Sequence, residues 1–265
     1  MRGSEVNPLV GRESTIADAH RDRTALPSAP VCHDLLVTER SVLADPVNSS
    51  LSGPHTRFRL SAGRIQRYHP DVSVFYGHPR ELTEEDYADV ARLTGPDRIA
   101  SLRDRAAPLP AGWSVVETIG LVQYDGSAVE TAPEPEAVRL TAADVPEMTA
   151  LVERTKPGPF LPRTIELGTY LGIRGADGAL VAMAGERMHP QGWTEISAVC
   201  TAPEARGRGL ASRLIRAVAH GIRERGDLPF LHTSDDNPAQ KLYDAMGFHH
   251  TRTVPLEIVH VGAIR

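Results

Sequence analysis

The residues best suited to chemistry lie between Glu195 and Ser212, Glu-Ile-Ser-Ala-Val-Cys-Thr-Ala-Pro-Glu-Ala-Arg-Gly-Arg-Gly-Leu-Ala-Ser. The β-branched and small apolar run Ile196 to Thr201 predicts a strand that stops at Pro203. An Arg- and Gly-rich turn follows, and then helical periodicity begins. That order suits an anion such as phosphate, because the first N–H groups of a helix lack internal partners and sit at the positive end of its dipole. Gly207 and Gly209 allow close backbone approach, and Arg206 and Arg208 add charge. A dinucleotide fingerprint would carry a third glycine where Ser212 stands, and would need more chain after it to complete a doubly wound sheet. Cys200 has no basic neighbour to activate a thiolate. Asp235-Asp236 has no His or Glu at ligand spacing, so no metal is expected there.

These residues need a scaffold, and the pattern around them supplies one. Residues 1 to 30 are polar and punctuated by Pro and Gly, which predicts a flexible leader. Residues 31–130 read as a smaller α+β unit: a helix near Leu35 to Leu51, strands near Arg64 to His69 and Val72 to Tyr76, a helix Thr83 to Leu93, and strands Arg98 to Leu102 and Trp113 to Tyr124. The Pro- and Glu-containing stretch 126–137 predicts a linker, placing a domain boundary near 130/131. In the second domain, 131–265, a short strand Ala137 to Leu140 precedes a helix for which Asp144 and Glu147 have capping-box spacing. A short helix near Pro162 to Gly168 follows. Three strands, Tyr170 to Arg174, Ala179 to Met188 and Trp193 to Thr201, are joined by Gly175-to-Gly178 and His189-to-Gly192 turns, which implies antiparallel pairing. Leu210, Leu214, Val218 and Ile222 make the apolar stripe of a long helix from Gly207 to Arg225 that stops at Gly226. Strand Pro229 to His232, an N-cap at Asp235 or Asp236, helix Ala239 to Met246 and strand Phe248 to Val261 complete the chain.

In this order the second domain resembles the GNAT superfamily of acyl-CoA-dependent N-acyltransferases. Arg206-Gly-Arg-Gly209-Leu-Ala211 is similar to the family's Q/R-x-x-G-x-G/A pyrophosphate loop, and Leu242-Tyr243-Asp-Ala-Met-Gly247-Phe248 to its LYxxxGF stretch. The first half more loosely resembles the degenerate N-terminal halves of two-part members, including glycine N-acyltransferase-like ones. The resemblance implies an α+β GNAT fold: a mixed, mostly antiparallel sheet flanked by helices, preceded by a degenerate GNAT-like half. It implies acetyl-CoA or another acyl-CoA as donor, its pyrophosphate held by backbone N–H groups of Arg206, Gly207, Arg208, Gly209, Leu210, Ala211 and Ser212. The pantetheine arm would pair with main chain near Val199, Cys200 and Thr201, where a bulge opens the strand. Glu195, eleven residues before Arg206, matches the spacing of the general-base glutamate in lysine-acetylating members, and an ammonium must lose a proton before it attacks. Tyr243 takes the position of the acid that reprotonates the thiolate. One departure is visible: the asparagine often seven residues before the tyrosine is Asp236 here, and Asn237 stands six before. Trp193 could line an acceptor pocket or pack in its hairpin, and His232 could contact substrate or be a hydrogen-bonded core histidine.

The expected activity is therefore direct transfer of an acetyl group to the amine of a small molecule or amino acid, without a metal. Transfer of longer acyl chains, as in glycine N-acyltransferases, and a non-catalytic acyl-CoA-binding scaffold are the alternatives. Composition agrees with a folded protein: 265 residues at 41% hydrophobic can bury a substantial core. A net charge of −5 argues against a broad nucleic-acid surface. No apolar run of membrane-spanning length and no secretory signal are visible, so a cytoplasmic setting and no membrane partner are expected. With only Cys32 and Cys200, neither a disulfide framework nor a zinc site is implied. Lys156 and Lys241 are the sole lysines among 29 basic residues, a bias associated with GC-rich bacterial genomes. Oligomeric state stays open, a homodimer among the options.

Overall fold

In the computed structural model, residues 42–95 and 98–262 are described. The expected leader, Cys32 and the first part of the helix expected from Leu35 lie outside them. Among the described residues eleven strands are assigned: β1 (Arg59–Ala62), β2 (Ile65–Tyr68), β3 (Tyr76–Gly77), β4 (Arg98–Arg103), β5 (Ser114–Asp125), β6 (Val138–Arg139), β7 (Tyr170–Arg174), β8 (Leu180–Glu186), β9 (Trp193–Thr201), β10 (Leu228–Ser234) and β11 (His249–Val261). The α-helices are α1 (Pro46–Ser52), α2 (Glu84–Thr94), α3 (Val145–Thr155), α4 (Leu210–Glu224) and α5 (Gln240–Ala245). Of the expected strand at Val72 to Tyr76 only the end is extended ladder, and the helix expected near Pro162 is a 3-10 turn at Thr164–Leu167.

An eight-stranded sheet in the order β4-β11-β5-β10-β9-β8-β7-β6 dominates the molecule. Its pairs are antiparallel apart from β9 with β10, which run parallel from Leu228 opposite Trp193 to Leu231 opposite Ile196. This is the mixed, mostly antiparallel sheet flanked by helices that the GNAT resemblance implies. The expected boundary near 130 falls within the sheet's sequence span: β4 and β5 precede it, β6 to β11 follow it, and all are neighbours in one sheet. β5 alone pairs with both β10 and β11. The first half thus contributes two sheet strands and a covering layer.

Adjacent strand residues point to opposite faces, and the core clusters sort accordingly. On one face Ile196 and Leu231 join the stripe of α4 (Leu210, Leu214, Val218, Ile222) and Met148 and Leu151 of α3. On the other, Trp193 and Phe230 pack against Val47 and Leu51 of α1, Tyr68 and Val72. A third cluster seats Tyr87 and Val90 of α2 over Ala100, Leu102 and Val259. Helix ends follow local chemistry. Thr83 and Asp86 form a capping box on α2. The box expected at Asp144 and Glu147 is built one turn earlier by Thr141 and Asp144, because a 3-10 turn precedes α3. Neither Asp235 nor Asp236 supplies the cap before α5; instead Asn237 Oδ1 accepts from the Ala239 N–H at 2.9 Å.

Two irregularities shape the centre of the sheet. Pairing of β8 with β9 slips between Met183 opposite Cys200 and Gly185 opposite Ser197, so Ala198 and Val199 face Ala184 alone. Ala198 takes φ 53°, a left-handed conformation that marks a bulge. Past Ile196 the parallel ladder with β10 ends, while β10 stays on β5 as far as Ser234 and β9 stays on β8 as far as Thr201. The two strands therefore splay. Gly185, at the base of the bulge, has the wholly buried Tyr170 ring so close that an added Cβ would lie 2.2 Å from it. Gly185→Ala should cost about 1–3 kcal/mol through overpacking, read as a lower urea midpoint at unchanged m-value.

Candidate active site

The splay of β9 from β10 opens a cleft of about 1000 Å³. At one end stands the turn before α4. Gly207 and Gly209 have φ of 75° and 71°, and a Cβ at either would meet open space, so glycine is needed there for backbone conformation and leaves room for a ligand. The first α4 bond runs from the Arg213 N–H to the Gly209 carbonyl at 3.1 Å, leaving the N–H groups of Leu210, Ala211 and Ser212 ahead of it. Arg206, Gly207, Gly209 and Leu210 to Ser212 all line the cleft; Arg208 is exposed beside it. Arg206 is steadied by its Nε donating to the Thr201 carbonyl at 3.3 Å. The set fits a pyrophosphate.

Along the cleft run Val199, Cys200 and Thr201, where β9 has no ladder partner on its β10 side. An extended chain bearing amides could pair there. The hydroxyls of Thr201 and Thr233, both on the cleft wall, are buried without a partner among the described residues, which points to a polar ligand atom as their complement. Cys200 packs into the α4-side core, and burial pushes its thiol up to about 11, so it acts as packing and not as a nucleophile. Asp236 and Asn237 both face the cleft, with Asn237 partly committed to its cap. Tyr243 also lines it, against the Tyr124 and Phe248 rings; burial, with Tyr124 adding, raises its phenol to about 12.

The other end holds a buried charge network. Glu195 is 0% exposed and does not line the cleft. Arg187 grips its carboxylate with two bonds, Nε to Oε2 at 2.7 Å and Nη2 to Oε1 at 2.6 Å, and Nδ1 of His232 lies 2.8 Å from Oε1. Burial alone would raise the Glu195 pKa, but the Arg187 charge and these hydrogen bonds hold it at about 2. Burial likewise opposes the charge on Arg187, and Glu195 more than restores it. A carboxylate so engaged is a poor proton acceptor. The geometry therefore does not fit the role of free base expected for Glu195, and it makes this residue the anchor of its neighbours.

His232 does line the cleft, its side chain 1% exposed, with Nε2 3.0 Å from Gln123 Oε1. Burial lowers its pKa, opposed by the Glu195 hydrogen bond. Both ring nitrogens face acceptor oxygens, Glu195 Oε1 and Gln123 Oε1, so a neutral ring donates to only one of them and a protonated ring to both. Trp193 is 1% exposed, stacked edge-on to Phe230 in the core beneath α1, and does not line the cleft: of its two expected roles it takes the packing one. The structure adds Arg187, Gln123 and Arg103 to the site. Arg187 was findable, since the His189-to-Gly192 hairpin sets it across from Glu195 and opposite charges pair across strands. Gln123 and Arg103 reach the site from distant strands and leave no local signal. Among the described residues no cluster of metal-ligating side chains occurs.

Removing one partner of a buried ion pair strands the other, so Glu195→Gln should lose about 3–5 kcal/mol of stability at neutral pH. The folded pKa is depressed, so this contribution is present above the ordinary carboxylate value of 4.5 and is lost as pH falls toward about 2. Urea midpoints should differ widely at pH 7 and converge in acid. A gap that persists unchanged at pH 3 would contradict the assignment.

Comparison with known proteins agrees with this geometry. A family model described as FR47-like protein matches residues 170–254, which span β7 to the first part of β11. A solved protein from Novosphingobium aromaticivorans, described as an acetyltransferase of the GNAT family, is 36% identical at a TM-score of 0.75, covering 83% of this chain and 99% of its own. A GCN5-related N-acetyltransferase from Kribbella flavida has the same fold at 20% identity and a TM-score of 0.51, covering 89% and 98%. No match was found among curated proteins. With this fold, this cleft and a relative of such identity along nearly its whole length, the chain belongs to the GNAT family and is an acyltransferase of the acyl-CoA-dependent kind.

Proposed function

We propose that this protein transfers an acetyl group from acetyl-CoA directly to the amine of a small acceptor. The observation that carries the reading is one continuous cleft with a phosphate-suited helix start at one end and His232, held by Glu195 and Arg187, at the other. The bound donor supplies a thioester carbonyl to the acceptor amine; the remaining work falls to side chains. Gly207 to Ser212 and Arg206 hold the anionic tail. The unpaired edge of β9 at Val199 to Thr201 aligns the arm, and its N–H groups are placed to stabilise developing negative charge. His232 takes the amine's proton at Nε2, which Gln123 Oε1 vacates as the acceptor enters, and Glu195, against Nδ1, acts as the positioning residue that holds the ring. Tyr243, protonated with a pKa near 12, donates to the leaving sulfur. Full proton transfer from such a phenol to a thiolate of reference pKa about 8.5 is uphill by about 5 kcal/mol, so a hydrogen bond is the better description of its help.

No helix among the described residues is long and apolar enough to cross a membrane, and a cytoplasmic setting stays part of this proposal. The test is release of free thiol from acetyl-CoA and longer acyl-CoAs over a panel of small amines. Turnover with acetyl-CoA is expected; tight CoA binding with no turnover on any pair would favour a non-catalytic role. His232→Gln should lower kcat by about 10²- to 10⁴-fold with little change in CoA affinity. Because the His232 pKa lies below its ordinary 6.5, the wild-type rate should fall only on the acid side of that value as the ring protonates. Unchanged turnover in the variant would move the proton acceptor elsewhere.

A further inference from the structure

Beyond His232 the cleft abuts a small, partly open cavity of about 20 Å³ between the sheet and the layer formed by α1 and residues 75–76. The two share the walls Phe75, Ser101, Leu121, Arg187, His232 and Leu256. Phe75, Leu121 and Leu256 make the apolar half of this wall. Ser101 Oγ is spent on the Val74 carbonyl at 2.9 Å, and the Arg187 guanidinium, paired with Glu195, lies 4.8 Å from the centre of the Phe75 ring.

Arg103, on the cavity wall, has a different status. Its Nη1 donates to the Ala44 carbonyl at 2.8 Å and its Nη2 to Gln123 Oε1 at 3.2 Å, while its Nε is buried without a partner among the described residues. No carboxylate among those residues lies within ion-pair distance of it. The nearby candidates are committed elsewhere: Asp104 to Arg80 at 3.1 Å and Arg252 at 3.2 Å, Asp45 to the start of α1 through Asn48. Burial lowers the Arg103 pKa to about 10, which leaves it charged at neutral pH. On the cavity wall itself stand two guanidiniums, Arg103 and Arg187, and no carboxylate; Glu195 pairs with Arg187, and Asp45 and Asp104 act on Arg103 from beyond ion-pair distance. An orphaned buried donor such as Arg103 Nε is costly until a ligand atom meets it.

We infer that this cavity is a carboxylate subsite, and that the acceptor is an α-amino acid with an aliphatic side chain whose carboxylate is received by Arg103. The inference deepens the N-acyltransferase reading and rests on it for the identity of the amine. The spacing supports an α-amino acid over a longer amino carboxylate: Arg103 Nη2 and His232 Nε2 both reach the same oxygen, Gln123 Oε1, at 3.2 and 3.0 Å. Groups that bracket one oxygen atom suit an amine and a carboxylate on the same carbon. The aliphatic side chain would lie against Leu121 and Leu256, with Ile119 and Ile258 further along the wall.

The test is calorimetric titration of the CoA-saturated protein with three probes: L-leucine, L-leucinamide, which keeps the amine and lacks the carboxylate, and 6-aminohexanoate, an isomer of leucine with its charges far apart. L-Leucine should bind at least about ten-fold more tightly than either, the scale of one charge-assisted hydrogen bond. In Arg103→Met that preference should collapse to near parity. Equal or weaker binding of L-leucine to the wild type, or a preference that survives in a folded Arg103→Met, would overturn the inference. The wild-type comparison decides even if the variant fails to fold. Thiol release run on the same probes separates the two readings. Turnover of simple amines without any carboxylate preference sinks the subsite and leaves the acyltransferase standing. A leucine preference in binding with no turnover of any amine does the reverse.

Discussion

A carboxylate taken wholly out of water has to be paired, and the pairing of Glu195 fixes what surrounds it. Arg187 enters from the hairpin that joins β8 to β9, His232 from β10, and Gln123 from β5, so four polar side chains on four segments converge where the sheet changes from antiparallel to parallel pairing. One residue beyond Glu195, at Ile196 and Leu231, the β9–β10 ladder stops and the cleft begins. The network is thus the closed end of the opening. It holds the two strands together at one end while the bulge at Ala198 turns β9 away at the other.

The same arrangement explains why the first half of the chain cannot be separated from the site. β4 and β5 extend the sheet past β11 and β10, and they carry Ser101, Arg103, Leu121 and Gln123. The layer of α1, β2 and the segment around Phe75 covers the face onto which Glu195 and Trp193 project. Without that cover Glu195 would be a solvated strand residue with an ordinary carboxylate pKa. With it, the carboxylate is committed to Arg187 and His232, and in the proposed mechanism the histidine takes the proton.

Much of this was legible in the sequence. The long α4 stripe, the hairpin turns, the glycine turn before α4 and the strand-to-helix run Val199 to Ser212 along the cleft are local patterns, and local patterns survive in one dimension. Glu195 was found by its spacing, but its environment could not be, because burial by residues more than a hundred positions earlier carries no mark at residue 195. The boundary read from the proline-rich stretch near 130 is a sound composition signal for a surface connection, yet composition does not tell whether strands on its two sides share a sheet. Arg103 and Gln123 were invisible for the same reason: each reads as one polar residue in a strand, and only register brings them to the same place.

The central claim is that the donor lies in the gap between β9 and β10 with its reacting end at His232. A crystal structure with bound CoA tests it most directly. The account requires the pyrophosphate on the backbone of 206–212, the arm along Val199 to Thr201, and the sulfur between Tyr243 and His232. CoA seated outside the β9–β10 gap, or seated there with its thiol directed away from His232, would contradict it.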